Sequence, residues 1–306
     1  MNPLINTFGH YLRKRYPFRV RKLTVHTGLG CPHRKDRTGS GGCVYCNESG
    51  FSTISGDAND SEIQIREGIQ KFRKTGFNGK FIVYFQTGTN TFGELSVLES
   101  QWRAVEPFRE DVIGVSVGTR PDCVSESVLQ ILSALDEDWM IWLELGLQSA
   151  HDRTLDLINR GHGFDAFREV VSMTEKYPRI LTAVHVILGL PGESEADMRF
   201  TLETLNRMPV HGLKIHHLQV VKDTVMEGWY REGKIRLFSE KEYISLLCRL
   251  LPHIRRDLII HRLAGDIRDD LLVAPRWTMP KTRIIQEVER CLADRRLAQG
   301  DLHEKC

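Results

Sequence analysis

The stretch MIWLELGLQ, residues 140–148, is apolar at most positions but holds a glutamate at 144 and a glutamine at 148. It reads as a buried strand, and unpaired polar groups in a buried strand are costly. Glu144 and Gln148 are therefore expected to have partners or a task. Five further runs on either side have the same β-rich character: KLTVHT (22–27), KFIVYFQ (80–86), DVIGVSVG (111–118), ILTAVHVILG (180–189) and LKIHHLQVV (213–221). Amphipathic segments lie between them: SEIQIREGIQKFRK, ELSVLESQWRAV, SESVLQILSAL, a pair covering 151–177, and SEADMRFTLETL, where Ser194 and Asp197 suggest a capping box.

Strand and helix in strict alternation demand a parallel sheet with right-handed crossovers. Six such units fit a partial (β/α)6 TIM-type barrel better than a closed eight-fold one, and in parallel α/β folds the chemistry sits at the C-terminal ends of the strands. After residue 221 the pattern changes to WYREGKIRLFSEKEYISLLCRLLPHI, a short run DLIIHRL and a terminal helix near KTRIIQEVERCLADRRLAQ. The expected division is a core over 1–221 and a mainly helical C-terminal extension over 222–306 that packs on the barrel.

Composition narrows the classes. The 306 residues are 41% hydrophobic and 27% charged, enough for a substantial core and unlike a disordered chain. A formal charge of +2 gives no overall field for nucleic acid or an anionic membrane. The opening MNPLINTFGHYLRKRY has no signal-like apolar run and nothing later approaches the length of a membrane span, so the protein is expected to be cytoplasmic. Of seven cysteines, Cys123, Cys248, Cys291 and Cys306 are scattered, whereas Cys31, Cys43 and Cys46 share the loop CPHRKDRTGSGGCVYC at the tip of the first strand. In a reducing compartment, clustered cysteines indicate metal or redox chemistry.

Three thiolates suit zinc or an iron–sulfur cluster. A structural zinc site would need a fourth ligand, for which His33 is at hand. A 4Fe–4S cluster held by three cysteines leaves one iron open to coordinate something else.

The wider run KLTVHTGLGCP, GGCVYCN, YFQTGTNTF, GTRPDCV, WLELGLQSAHDRTLDLINRGH and ILGLPGES resembles the radical S-adenosylmethionine (SAM) superfamily. The long interval between Cys31 and Cys43 is similar to the subgroup containing the elongator catalytic subunit, and the match extends to a bacterial group of unassigned function and, more distantly, to oxygen-independent coproporphyrinogen oxidase. The resemblance implies a 4Fe–4S cluster on Cys31, Cys43 and Cys46, SAM on its open iron, and reductive cleavage of SAM to a 5'-deoxyadenosyl radical that abstracts hydrogen from substrate. It also implies an external electron donor such as flavodoxin or ferredoxin.

By the same resemblance, Tyr45 lies beside the adenine, Gly88 in QTGTNT lets backbone approach the SAM amino group, Gln148 contacts the ribose and Arg160 the SAM carboxylate. A guanidinium suits that last task because its fork binds a carboxylate in two places. His185 stands at another ribose contact, and GLPGE (189–193) shapes the final turn beside the adenine. Each residue also has an ordinary explanation: Tyr45 as a core aromatic, QTGTNT as a strand-to-helix turn, His185 as a satisfied core histidine and Arg160 as half of an ion pair. Gly118 departs from the pattern, since relatives place a glutamate there.

His216, His217, Lys222, His261 and Arg262 are the positions informative for substrate, unless they are polar residues of a domain junction. RNA, tRNA included, is suggested by the elongator relative and by the basic run RKRYPFRVRK (13–22), with a small metabolite as the other choice. The competing class is a non-catalytic zinc- or cluster-binding module, which has no need of Gln148 and Arg160.

Overall fold

The computed structural model describes residues 3–34, 41–47 and 60–303. The middle of the cysteine loop and Cys306 lie outside the described residues. After a short helix α1 (Phe8–Arg15) come β1 (Val20–Val25), α2 (Ser61–Lys74), β2 (Lys80–Phe85), α3 (Leu95–Arg103), β3 (Val112–Thr119), α4 (Glu126–Ser133) and β4 (Met140–Gln148). The pair α5 (Asp152–Leu157) and α6 (Phe164–Thr174) leads to β5 (Ile180–Leu188), and α7 (Glu195–Asn206) to β6 (Gly212–His217). The rest comprises β7 (Val220–Val221), α8 (Val225–Arg231), α9 (Glu240–Leu250), β8 (Ile259–Arg262), β9 (Leu272–Ala274) and α10 (Lys281–Asp294).

The main sheet has the order β1-β2-β3-β4-β5-β6-β8 with every neighbouring pair parallel. Because the spatial order follows the chain order without reversal, the sheet curls in one direction into an open half-barrel with helices outside. Six strands are expected from the sequence, and DLIIHRL supplies a seventh that pairs with β6. The run 213–221 is also divided: β6 stays in the main sheet, while β7 turns away to pair antiparallel with β9.

Side-chain alternation explains the layers. On β4, Ile141, Leu143, Leu145 and Leu147 face outward into the large core shared with Ile65 and Ile69 of α2, Trp102 of α3, Leu129 of α4 and Phe167 of α6. Each such side chain contributes about 1.5–3 kcal/mol by leaving water. Inside the barrel, Trp142 and Met140 of β4 join Ile82, Ala183, Ile259 and Phe8 of α1 in an apolar layer at the N-terminal ends of the strands. Phe8 meets Trp142 edge-on with ring centroids 5.7 Å apart, and stacks on His261 at 4.2 Å. Among the described residues this layer fills the lower part of the barrel and leaves the cavity at the C-terminal mouth.

Local signals fix the ends of elements. Ser194 accepts from the Asp197 N–H while the Asp197 carboxylate accepts from the Ser194 N–H, the expected capping box of α7. The tip of β1 is held by Gln64 of α2, whose side chain accepts from the His26 N–H at 2.9 Å and donates to its carbonyl at 2.7 Å. On the free edge of β8, the Ile260 N–H donates to the Asn6 carbonyl at 2.8 Å, which covers that edge with the segment before α1.

Candidate active site

The mouth holds a cavity of ≈ 410 Å³. Cys31, Cys43 and Cys46 all line it, and so do Tyr45, Gly88, Gln148, Arg160 and His185. Residues that are far apart in sequence thus share one space because each sits at or beyond a strand's C-terminal end.

The cysteine loop is fastened to the turn after α5. The Val44 N–H donates to the Ile158 carbonyl at 3.0 Å, Asn159 Nδ2 donates to the Gly42 carbonyl at 2.8 Å, and His33 Nε2 lies 2.8 Å from the Asn159 carbonyl. Asn159 adopts φ +50°, a left-handed conformation that asparagine tolerates better than most residues. Val44 packs with Leu155, Ile158 and Leu190, and Tyr45 covers the edge of that cluster, so Tyr45 is both core aromatic and cavity wall. Among the described residues, no three of His, Cys, Asp and Glu converge as ligands of a single metal ion, and His33 is engaged with Asn159. Burial pushes the Cys46 thiol up to about 12.

Arg160 is 6% exposed. Its Nη1 lies 3.3 Å from Cys43 Sγ, its Nη2 donates to the Gly146 carbonyl at 2.6 Å, and its Nε has no partner. A surface ion pair is therefore excluded. The close approach depends on Gly146: a Cβ there would stand 2.8 Å from Arg160 Nη2 and 2.9 Å from Gln148 Nε2. Gln148 itself sits at φ +80°, an uncommon state for a residue with a side chain.

The turn after β2 is strongly braced. Thr87 and Gly88 have φ of +68° and +70°, and fully buried Asn90 ties the turn down by donating to the Thr87 carbonyl at 3.3 Å and the Gly118 carbonyl at 2.8 Å while accepting from Thr27 Oγ1 at 2.7 Å. Gly118 pairs in register with Glu144, and a Cβ on Gly118 would lie 3.3 Å from the Tyr84 hydroxyl.

Glu144 is the hub of the floor. Its side chain is 0% exposed; Oε1 accepts from Ser116 Oγ at 2.6 Å and from Lys22 Nζ, and Oε2 accepts from Lys214 Nζ at 2.7 Å and faces His185 Nε2 at 2.7 Å. Lys214 Nζ also donates to the Tyr84 hydroxyl at 2.9 Å. Burial opposes ionisation of Glu144, but Lys214 and Lys22 hold its carboxyl well below the usual range. Burial brings Lys214 down to about 7 and His185 to about 4, in both cases outweighing Glu144. The neutral His185 ring donates its Nε2–H to Glu144, which leaves Nδ1 as an acceptor.

Of the positions expected to inform on substrate, His216, His217 and Arg262 line the cavity. His261 instead lies under the floor against Phe8 and Trp142, and Lys222 Nζ donates to the Asp270 carbonyl at the exposed surface. The basic run 13–22 ends in the start of β1, at the opposite end of the barrel from the mouth. Lys22, Tyr84, Ser116 and Lys214 were not singled out from the sequence. Their signal was the inward period-two face of their strands, visible once a sheet covered by helices is assumed.

The Radical SAM superfamily pattern matches residues 25–205, and the Radical_SAM C-terminal domain pattern matches residues 210–294. The chain belongs to the radical SAM superfamily. This membership makes it an enzyme of SAM-dependent radical chemistry. The chain is 33% identical to YhcC of Escherichia coli over 293 residues, which are 95% of this chain and 93% of that protein. A tRNA uridine(34) acetyltransferase of Methanocaldococcus infernus is 23% identical over 287 residues, 79% of this chain and 51% of that protein. The solved structure of archaeal Elp3 from the same organism, lacking its N-terminus, superposes with TM-score 0.70 at 17% identity, covering 92% of this chain and 64% of that one. At that identity the likeness speaks to the fold. Among the described residues no helix is long and apolar enough to cross a membrane.

Proposed function

We propose that Cys31, Cys43 and Cys46 hold a 4Fe–4S cluster and that the cavity beside them binds SAM. The observation that carries this reading is the shared cavity: three cysteines and a buried arginine with an unpartnered Nε line the same ≈ 410 Å³ space. A buried donor left unsatisfied costs about 1–3 kcal/mol, which a carboxylate placed against Arg160 would recover. When bound and reduced, the cluster supplies the electron that cleaves SAM to methionine and a 5'-deoxyadenosyl radical, which takes hydrogen from the substrate.

The protein's part is to hold and shield. Arg160 binds the SAM carboxylate, with Gly146 giving it room. Gln148 and the Nδ1 acceptor of His185 take the ribose hydroxyls, the left-handed backbone at Thr87 and Gly88 meets the amino group, and Tyr45 walls the adenine. Glu144, already committed to two lysines, Ser116 and His185, does not replace the glutamate missing at Gly118. The aromatic plug below keeps bulk water out from behind. A mononuclear zinc site is disfavoured because His33 is spent on Asn159.

For the substrate we favour tRNA. Support comes from the relative named as a tRNA uridine(34) acetyltransferase, whereas the basic run at the far end of the barrel does not contribute. An external flavodoxin or ferredoxin would deliver the electron. The test is anaerobic reconstitution with iron and sulfide, reduction with SAM, and assay of 5'-deoxyadenosine against Cys43→Ala. Product in the intact protein alone supports the reading; stoichiometric zinc with no cluster assembly would sink it. Salt-dependent binding of bulk tRNA tests the substrate class, and its absence removes RNA.

A further inference from the structure

The floor of the cavity carries more positive charge than its buried carboxylate neutralises. Lys22 and Lys214 share Glu144. Arg262 of β8 stands beside Lys214 in the β6–β8 register and lines the same cavity, yet it makes no hydrogen bond or ion pair among the described residues. Lys214, 4% exposed, places two of its three N–H groups on Tyr84 and Glu144, leaving one over. His216, two residues further along the inward face of β6, has a buried Nε2 with no partner. The other acid lining the cavity, Asp266, is exposed at the rim and already engaged.

Charge drawn out of water is held at a penalty unless an opposite charge meets it, and a guanidinium beside an ammonium matches the oxygens of an oxyanion in geometry as well as sign. We propose that Arg262, Lys214 and His216 form an oxyanion subsite that receives a carboxylate or phosphate group of the substrate. The inference rests on the SAM reading only for what fills the rest of the cavity.

Protonation adds a signature. The groups facing Lys214 are Glu144 of β4, Tyr84 of β2, Lys22 of β1, His185 of β5, His216 of β6, and His261 and Arg262 of β8. Burial and the neighbouring cations hold Lys214 at about 7, so it is charged below that value and neutral above. An oxyanion is therefore bound more tightly below about 7, and its arrival draws a proton onto Lys214.

The experiment is calorimetric titration of inorganic phosphate and, separately, succinate into anaerobically reconstituted protein with SAM at saturation and ionic strength held constant. Saturable binding of at least one is expected, weakened about tenfold or more by Arg262→Gln, with Arg262→Lys intermediate. Succinate binding, whose ligand charge changes little over this range, should weaken on going from about pH 6.5 to about pH 8.5, with proton uptake greatest where the affinity falls most steeply. A preference for succinate assigns a carboxylate, and a preference for phosphate assigns a phosphate. The proposal is overturned by no saturable binding of either, by equal binding to Arg262→Gln, or by competition with SAM. If Arg262→Gln does not fold, judged by its circular dichroism melt, His216→Ala provides the same comparison. SAM binding is measured first in the same preparation: its absence removes the SAM reading, while SAM binding without oxyanion binding removes this inference alone.

Discussion

On its outer face β4 presents Ile141, Leu143, Leu145 and Leu147, all fully buried against helices, and on its inner face Trp142, Glu144, Gly146 and Gln148. The outer residues are of similar size and kind, and what matters about them is volume excluded from water. Each inner residue has its own assignment: Trp142 plugs, Glu144 neutralises, Gly146 makes room for Arg160, and Gln148 ends the strand in a left-handed turn. Adjacent positions on one strand therefore tolerate different errors: the outer face tolerates changes of shape that preserve volume, and the inner face tolerates almost no change of charge or bulk.

The sharpest break of this contrast is Glu144→Ala. It leaves buried Lys214 and part-exposed Lys22 without their shared counter-charge, and a loss of about 3–5 kcal/mol is expected in urea unfolding. Adding Lys214→Met should recover part of it; if it recovers nothing, the hub is not electrostatic. Next in size is Leu143→Ala, with about 3 kcal/mol lost through transfer and cavity terms while the SAM affinity of the folded protein stays put. A matching fall in SAM affinity would show that the two faces are not independent.

Gly146→Ala reverses that pattern. Its methyl would crowd Arg160 Nη2 at 2.8 Å, so SAM affinity should fall about tenfold, equivalent to about 1.4 kcal/mol, with a smaller change in thermal midpoint. Unchanged affinity in equilibrium dialysis would mean that Arg160 does not need its present position. The smallest effect lies away from β4, at the start of α7. Hydrogen bonds from Ser194 hold Asp197 down to about 2 from 3.8, so its contribution is present above 3.8 and is lost as pH falls through about 2. Because this carboxylate is part-exposed at the surface, the size is a few tenths to about 1 kcal/mol. Asp197→Asn should flatten that part of the stability profile in melts followed by circular dichroism.

The strands were legible because their apolar runs are local, and the α7 box because its partners are three residues apart. The half-barrel followed from alternation alone. DLIIHRL was seen as a short run, but its place beside β6 is a pairing across more than forty residues that no local pattern announces. The cysteine loop stood out by spacing. Lys22 and Lys214 did not, since a lysine alternating with apolar residues looks like the wet face of a half-exposed strand; Glu144, the partner of both, lies 122 and 70 residues away. Gly146 was equally silent, its role depending on an arginine brought back by the α5 turn.

The charged hub around Glu144 has a consequence for proton exchange as well as for stability. Lys214 and His185 line the cavity at the mouth, whereas Lys22, on the same carboxylate, does not line it and keeps 23% of its side chain in solvent. An occupant of the mouth therefore slows proton exchange at Lys214 and His185, and a pH-jump single-turnover experiment reads by how much.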